Sequence, residues 1–149
     1  MIRGGNPLQG TVRISGAKNA SLALMPATLL ASGTFELRNT PILRDVNTMA
    51  VLLRSMGIAS ERKEHTLTLD TSGINNFEAP YEHVKKMRAS VYVLGPLIAR
   101  YGRAKVSLPG GCAWGPRPVN LHIEAMRKLG ADIDLREGYI FAHAEKLTG

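Results

Sequence analysis

Residues 20–31 and 89–99 carry no charged side chain at any position. Each run opens on an Ala-Ser pair and is soon stopped by a glycine, Gly33 or Gly102. A helix without a polar face is one that is buried on all sides. The pattern therefore predicts two helices wrapped by other elements. Two further stretches are striped instead. Val46, Met49, Leu52, Leu53 and Met56 recur at helical spacing after Asp45, which reads as an N-cap, and Gly57 ends the run. Val119, His122, Met126 and Leu129 do the same before Gly130. Alternation of period two marks strands at Gly10–Ile14, Phe35–Arg38, Thr66–Leu69, Lys105–Leu108 and Tyr139–Phe141. Residues 71–80 read as a junction.

The order helix, strand, helix, strand thus occurs twice, and the two copies align by constant shifts along the chain. One shift carries Ala20-Ser21 onto Ala89-Ser90 and Gly33 onto Gly102. A second, slightly longer shift carries Arg44, Val46, Asn47, Arg54 and Gly57 onto Arg117, Val119, Asn120, Arg127 and Gly130. The second copy has therefore gained four residues between Gly102 and Arg117. An internal repeat of this kind makes each copy one supersecondary unit. The gained residues fall in a loop, where function is often placed.

That loop holds the one cysteine of the chain. Leu108-Pro109-Gly110-Gly111-Cys112-Ala113-Trp114-Gly115-Pro116-Arg117-Pro118-Val119 carries three glycines and three prolines around it. Pro118 suits the first turn of a helix, where its missing N–H costs nothing. Cys112 then stands before a helix N-terminus and near Arg117, and both favour a thiolate and any bound anion. A small buried thiol in a tight turn is the plainer alternative, and the flanking Gly-Gly and Gly-Pro-Arg weigh against it. The repeat adds two cations. Asn19 corresponds to Arg88, so Lys18 and Arg88 stand at the starts of the two charge-free helices. Cations there oppose the helix dipole. An anionic ligand explains them; snorkelling to water explains them equally well.

Composition narrows the classes. One cysteine excludes an internal disulfide and suits a reducing compartment. The longest charge-free run, Asn19–Phe35, has Pro26 and Gly33 inside it and is too short and too interrupted for a membrane span. A net charge of +7 points to acidic partners. The basic residues are scattered and aromatics are only 5%, so no nucleic-acid surface is expected.

Ser15-Gly16-Ala17-Lys18-Asn19-Ala20, followed by Pro109-Gly110-Gly111-Cys112-Ala113 and Gly115-Pro116-Arg117-Pro118-Val119, resembles the UDP-N-acetylglucosamine enolpyruvyltransferase family. The resemblance covers all 149 residues. It implies an α/β fold, the inside-out α/β barrel, of which two repeated units with buried helices would be present. Residues 1–15 would be a strand belonging to a partner domain, 16–78 the first unit, and 79–149 the second, with the catalytic cysteine loop. The implied reaction moves the enolpyruvyl group of phosphoenolpyruvate to the sugar 3-hydroxyl of UDP-N-acetylglucosamine and releases phosphate. In the family this is the first committed, cytoplasmic step of peptidoglycan synthesis.

By the same resemblance Cys112 is the proton donor, the site of the covalent phosphoenolpyruvate adduct and the point where fosfomycin attaches. Lys18, Asn19 and Arg117 would contact phosphoenolpyruvate. Arg88, Arg117, Pro118, Val119, Asn120 and Leu121 would contact the uridine nucleotide. No metal or cofactor is implied. The general base would lie outside this chain, which alone would be inactive and would self-associate through exposed edges. Trp114 replaces a smaller aliphatic residue and Asn120 a common aspartate, which touches loop packing and one nucleotide contact. The sister family, 5-enolpyruvylshikimate-3-phosphate synthase, would carry Lys-Ser in place of Lys18-Asn19. A non-catalytic anion-binding or nucleotide-binding module is the alternative of a different class.

Overall fold

A computed structural model describes residues 4–5, 7, 9–85, 87–108 and 119–148. The chain is α/β. The first half runs α1 (Lys18–Ala27), a 3-10 turn (Thr28–Leu30), β1 (Thr34–Leu37), α2 (Arg44–Ser55), β2 (Ala59–Lys63) and β3 (Thr66–Asp70). The second half runs β4 (Glu78–Ala79), α3 (Tyr81–Val84), a 3-10 segment (Arg88–Val93), α4 (Leu94–Tyr101), β5 (Arg103–Ser107), α5 (Asn120–Lys128), β6 (Asp132–Arg136) and β7 (Tyr139–His143). Among these residues no helix is long and apolar enough to cross a membrane.

Two sheets form, ordered β1-β3-β2 and β4-β5-β7-β6. Their registers repeat at the two shifts seen in the sequence. Thr34 pairs with Asp70 and Arg103 with His143, so β1 maps to β5 at the shorter shift and β3 to β7 at the longer one. Ala59 and Asp132, opposite those same two residues, carry β2 onto β6. Loop hydrogen bonds repeat as well. The Thr71 N–H donates to Gly33 O at 3.0 Å, and that of Ala144 to Gly102 O at 2.9 Å. Asn75 N–H reaches Met56 O at 3.0 Å, and Thr148 N–H reaches Leu129 O at 2.8 Å.

One face of each sheet is apolar, and the helices cover it. Leu67 and Leu69 are buried in the first sheet; Ala104, Val106, Ile133, Ile140 and Ala142 in the second. Met25, Leu29, Met49, Leu52, Leu53, Leu94, Leu97 and Ile98 fill the space between. Fully burying such side chains is worth about 1.5–3 kcal/mol each, which dominates the fold.

Four expectations need correction. The first helix is not buried all round. Ser21, Leu22, Met25 and Pro26 face inward, while Ala20, Ala23, Leu24 and Ala27 are exposed, because nothing in the described chain covers that side. The run 89–99 is not one regular helix. Pro96 has no N–H for the Tyr92 carbonyl and crowds it, and the turn before Leu94 is wound as a 3-10 helix. Residues 10–14 form no strand with any described residue, and Val12 and Ile14 are exposed. In α5 the inward stripe is Val119, Ile123 and Met126, and His122 is exposed at its edge, beside Tyr92.

Gly102 tests the tight end of α4. Its φ is 67°, and a Cβ there would stand 2.7 Å from the Ala144 carbonyl oxygen. Gly138 has φ 76° but open space around it. We expect Gly138→Ala to cost about 1–2 kcal/mol from conformation alone. Gly102→Ala should cost at least ~1 kcal/mol more from the clash with backbone. Urea unfolding of the two variants checks the order; equal losses would contradict the close contact.

Candidate functional site

The N-terminal ends of four helices lie at one end of the molecule. The Arg100 guanidinium, on α4, donates to the Leu29 carbonyl oxygen at 3.0 Å. The segment Arg88–Val93 packs on α1, and α4 packs on the turn Thr28–Leu30. The two long helical segments therefore run parallel, and Lys18 and Arg88 begin them at the same end. Tyr92 and His122 stand 6.0 Å apart between ring centroids, and Gly95 faces Met126 one turn further on. So α5 runs parallel too, and Val119, Asn120 and Leu121 open it at that end. An ion pair adds α2: Lys18 Nζ lies 3.1 Å from Asp45 Oδ2.

Local sequence explains how Lys18 is presented. Ala17 is the N-cap residue of α1 and offers no side-chain oxygen to the first N–H groups. No acidic residue stands in that first turn. Ser21 uses its hydroxyl backward, on the Ala17 carbonyl at 3.1 Å. Gly16 lets the entering chain lie flat on the loop between β1 and α2. A Cβ at Gly16 would overlap the Asn39 carbonyl oxygen and press on the Pro41 ring. Asp45, read from the sequence as an N-cap, instead sits in the first turn of α2, whose N-cap residue is Leu43. A carboxylate there is favoured by the helix dipole, and it holds the lysine as well. The sequence places both residues at helix starts, but their contact depends on how α1 packs on α2.

Lys18, Asn19, Arg88, Asn120 and Leu121 are exposed, and Val119 is half-buried. Arg88 has no ion-pair partner among the described residues. Cys112, Arg117 and Pro118 lie outside the described residues. The described part of the site thus combines helix N-termini with Lys18, Arg44 and Arg88 against one carboxylate, Asp45. Free N–H groups and cations at one place suit an anion such as phosphate or carboxylate.

A repeated α/β scaffold with cations and helix N-termini at one end suits a class of anion-binding proteins, and comparison with known proteins gives the family. The sequence matches the family described as EPSP synthase (3-phosphoshikimate 1-carboxyvinyltransferase) over residues 2–149. The chain belongs to that family. It is similar to UDP-N-acetylglucosamine 1-carboxyvinyltransferase of Chloroherpeton thalassium, 60% identical over 98% of this chain and 34% of the relative. The protein of that name from Thermodesulfovibrio yellowstonii is 58% identical over 100% of this chain and 36% of its own length. The chain therefore spans about a third of the length of these curated relatives. Among solved structures, the enolpyruvyl transferase NikO from Streptomyces tendae overlays with a TM-score of 0.79 at 27% identity, covering 97% of this chain and 32% of that one. An EPSP synthase from Acinetobacter baumannii overlays at 0.69 with 19% identity, covering 94% of this chain and 33% of that one, and shares the fold.

Gly16 and Asp45 separate scaffold from chemistry. The Lys18–Asp45 pair is 48% and 36% exposed, and such surface pairs contribute about 0–1 kcal/mol. Asp45→Asn should therefore barely move the urea midpoint. Gly16→Ala should destabilise by about 1–3 kcal/mol, since it overpacks a backbone contact. The opposite ranking would mean that the ion pair, and not the Gly16 contact, seats the start of α1.

Proposed function

We propose that this chain is the part of a UDP-N-acetylglucosamine 1-carboxyvinyltransferase that holds phosphoenolpyruvate and delivers the proton. The observation that carries this reading is 51–60% identity to proteins of that name along essentially the whole chain. Identity to the solved EPSP synthases is 19–20%. Asn19 also follows Lys18, where that sister enzyme would carry serine.

In this reading residues 16–78 and 79–149 are two units of an inside-out barrel. Residues 1–15 pair with a partner domain, which accounts for the exposed Val12 and Ile14. The exposed apolar side of α1 is then covered by a further unit in the longer protein, and by another copy when the chain is alone. The enzyme works in the cytoplasm, on the way to peptidoglycan, without metal or cofactor.

The chemistry assigns roles to this chain's own residues. Lys18, Asn19 and Arg117 bind phosphoenolpyruvate, where cations can neutralise phosphate and carboxylate. Asp45 holds Lys18 in place before the ligand arrives. Arg88 and Arg117 to Leu121 contact the nucleotide, the latter from the start of α5. Cys112 gives its proton to the methylene carbon of phosphoenolpyruvate, which a thiol tuned towards neutrality can do. The sugar 3-hydroxyl adds to the neighbouring carbon; loss of phosphate and a proton then restores the double bond. The general base that takes the hydroxyl proton belongs to the rest of the enzyme.

A protein of the relatives' length carrying this segment tests the proposal by phosphate release with both substrates. Cys112→Ala should abolish turnover and fosfomycin labelling, and Cys112→Asp should retain an acid and some activity. Lys18→Ala should weaken phosphoenolpyruvate use about tenfold or more, the loss of one charge-assisted contact, with little change in stability. The 149-residue chain alone should release no phosphate. Unchanged turnover by Cys112→Ala would overturn the catalytic role. Nucleotide binding without any thiol labelling in the longer protein would favour the non-catalytic module.

A further inference from the structure

A cleft of about 190 Å³ opens between α2 and β2, on a side of α2 that does not carry Asp45. Ala50 and Leu67 floor it; Asn47, Arg54, Ser60 and Arg62 supply its polar groups. Among the described residues no carboxylate lines it, so two guanidinium groups share it without a counter-charge. Arg54 Nη1 donates to Ser60 Oγ at 2.7 Å. Arg62 Nη1 makes one long hydrogen bond, 3.4 Å to the Thr40 carbonyl oxygen. Arg62 Nη2 is buried and has no partner among the described residues. A buried donor of a charged group left unmade is costly.

The internal repeat shows that the scaffold does not require this arrangement. At the longer of the two shifts Arg54 becomes Arg127, whose Nη2 donates to the Ile133 carbonyl oxygen at 2.8 Å. Ser60 becomes Ile133 and Arg62 becomes Leu135. The second unit therefore builds the same helix-on-strand contact with one arginine that is satisfied by backbone and a leucine in place of the other. The second arginine, with its spare donor, is particular to the first unit.

We propose that the Arg54–Arg62 cleft is a binding site for a compact oxyanion, inorganic phosphate or the terminal group of a phosphomonoester. The remaining Arg54 donors take the anion oxygens, with the Ser60 hydroxyl and the Asn47 amide beside them and the Arg62 guanidinium adding its charge. The planar fork of arginine suits phosphate in this way. The site is independent of the enolpyruvyl-transfer reading, because none of its residues belongs to the helix-start cluster.

The test titrates the arginine-labelled chain with sodium phosphate and watches the Nε–Hε resonances, with sodium chloride at matched ionic strength as the control. Arg54 and Arg62 should shift saturably with phosphate and not with chloride. In Arg62→Leu, the side chain the second unit already carries, the Arg54 response should weaken about tenfold or more. Circular dichroism should show that variant folded, and Lys18→Ala should leave the Arg54 and Arg62 response intact. Glycerol phosphate in place of phosphate separates the sources: equal binding assigns recognition to the phosphoryl group, and tighter binding assigns an ester. No saturable shift, a chloride response of the same size, or an undiminished Arg54 response in folded Arg62→Leu would overturn the site.

Discussion

The structure depends on two helical segments lying side by side in the same direction. Met25 and Leu29 on one and Leu94, Leu97 and Ile98 on the other are almost wholly removed from water. The Arg100 bond to Leu29 fixes their far ends. Parallel packing has an electrostatic cost, since like dipole ends gather together. Here that cost is concentrated at the starts of the helices, where Lys18 and Arg88 add further positive charge. An anion relieves it. The arrangement that buries the core therefore also creates the place where phosphate or carboxylate is wanted.

The two halves show how one architecture carries different chemistry. Registers, hairpins and loop hydrogen bonds repeat at fixed shifts along the chain, so the backbone solution is shared. Side chains on it diverge. Asp45 and Lys18 pair at the start of the first unit, whereas its counterpart in the second carries Arg88 unpaired among the described residues. The outward face of the second sheet gathers cations over rings, with Arg103 over Phe77 and Arg136 over Phe141, where the first sheet presents threonines and acids. Repetition supplied the frame, and substitution within it separated the roles.

Much of this was legible in the sequence because burial and spacing act locally. The stripe Val46, Met49, Leu52, Leu53, Met56 is the buried face of α2 and its cap, and Leu67 and Leu69 point inward from β3. Other elements were hidden for physical reasons. Ser60-Glu61-Arg62-Lys63 has no buried side chain, so β2 exists only through its ladder with β3, a non-local term. Residues 132–136 are similar, with Ile133 alone buried. Pro96 interrupts an apolar run that otherwise reads as one helix. The convergence of helix starts was implied by the repeat, but the Lys18–Asp45 contact needed the packing of α1 on α2. The cysteine loop was the loudest signal in the sequence, and Cys112, Arg117 and Pro118 lie outside the described residues.

The central claim is that one end of the helix layer holds the anion. The most direct measurement is amide chemical-shift mapping of the nitrogen-labelled chain titrated with phosphoenolpyruvate. The account predicts saturable shifts at residues 17–20, 44–46, 88–90 and 119–121, beside those at the Arg54–Arg62 cleft, which also takes phosphomonoesters. Shifts confined to the opposite end, around Leu29 and Arg100, or to the outer sheet face at Arg103, Lys105 and Arg136, would contradict it.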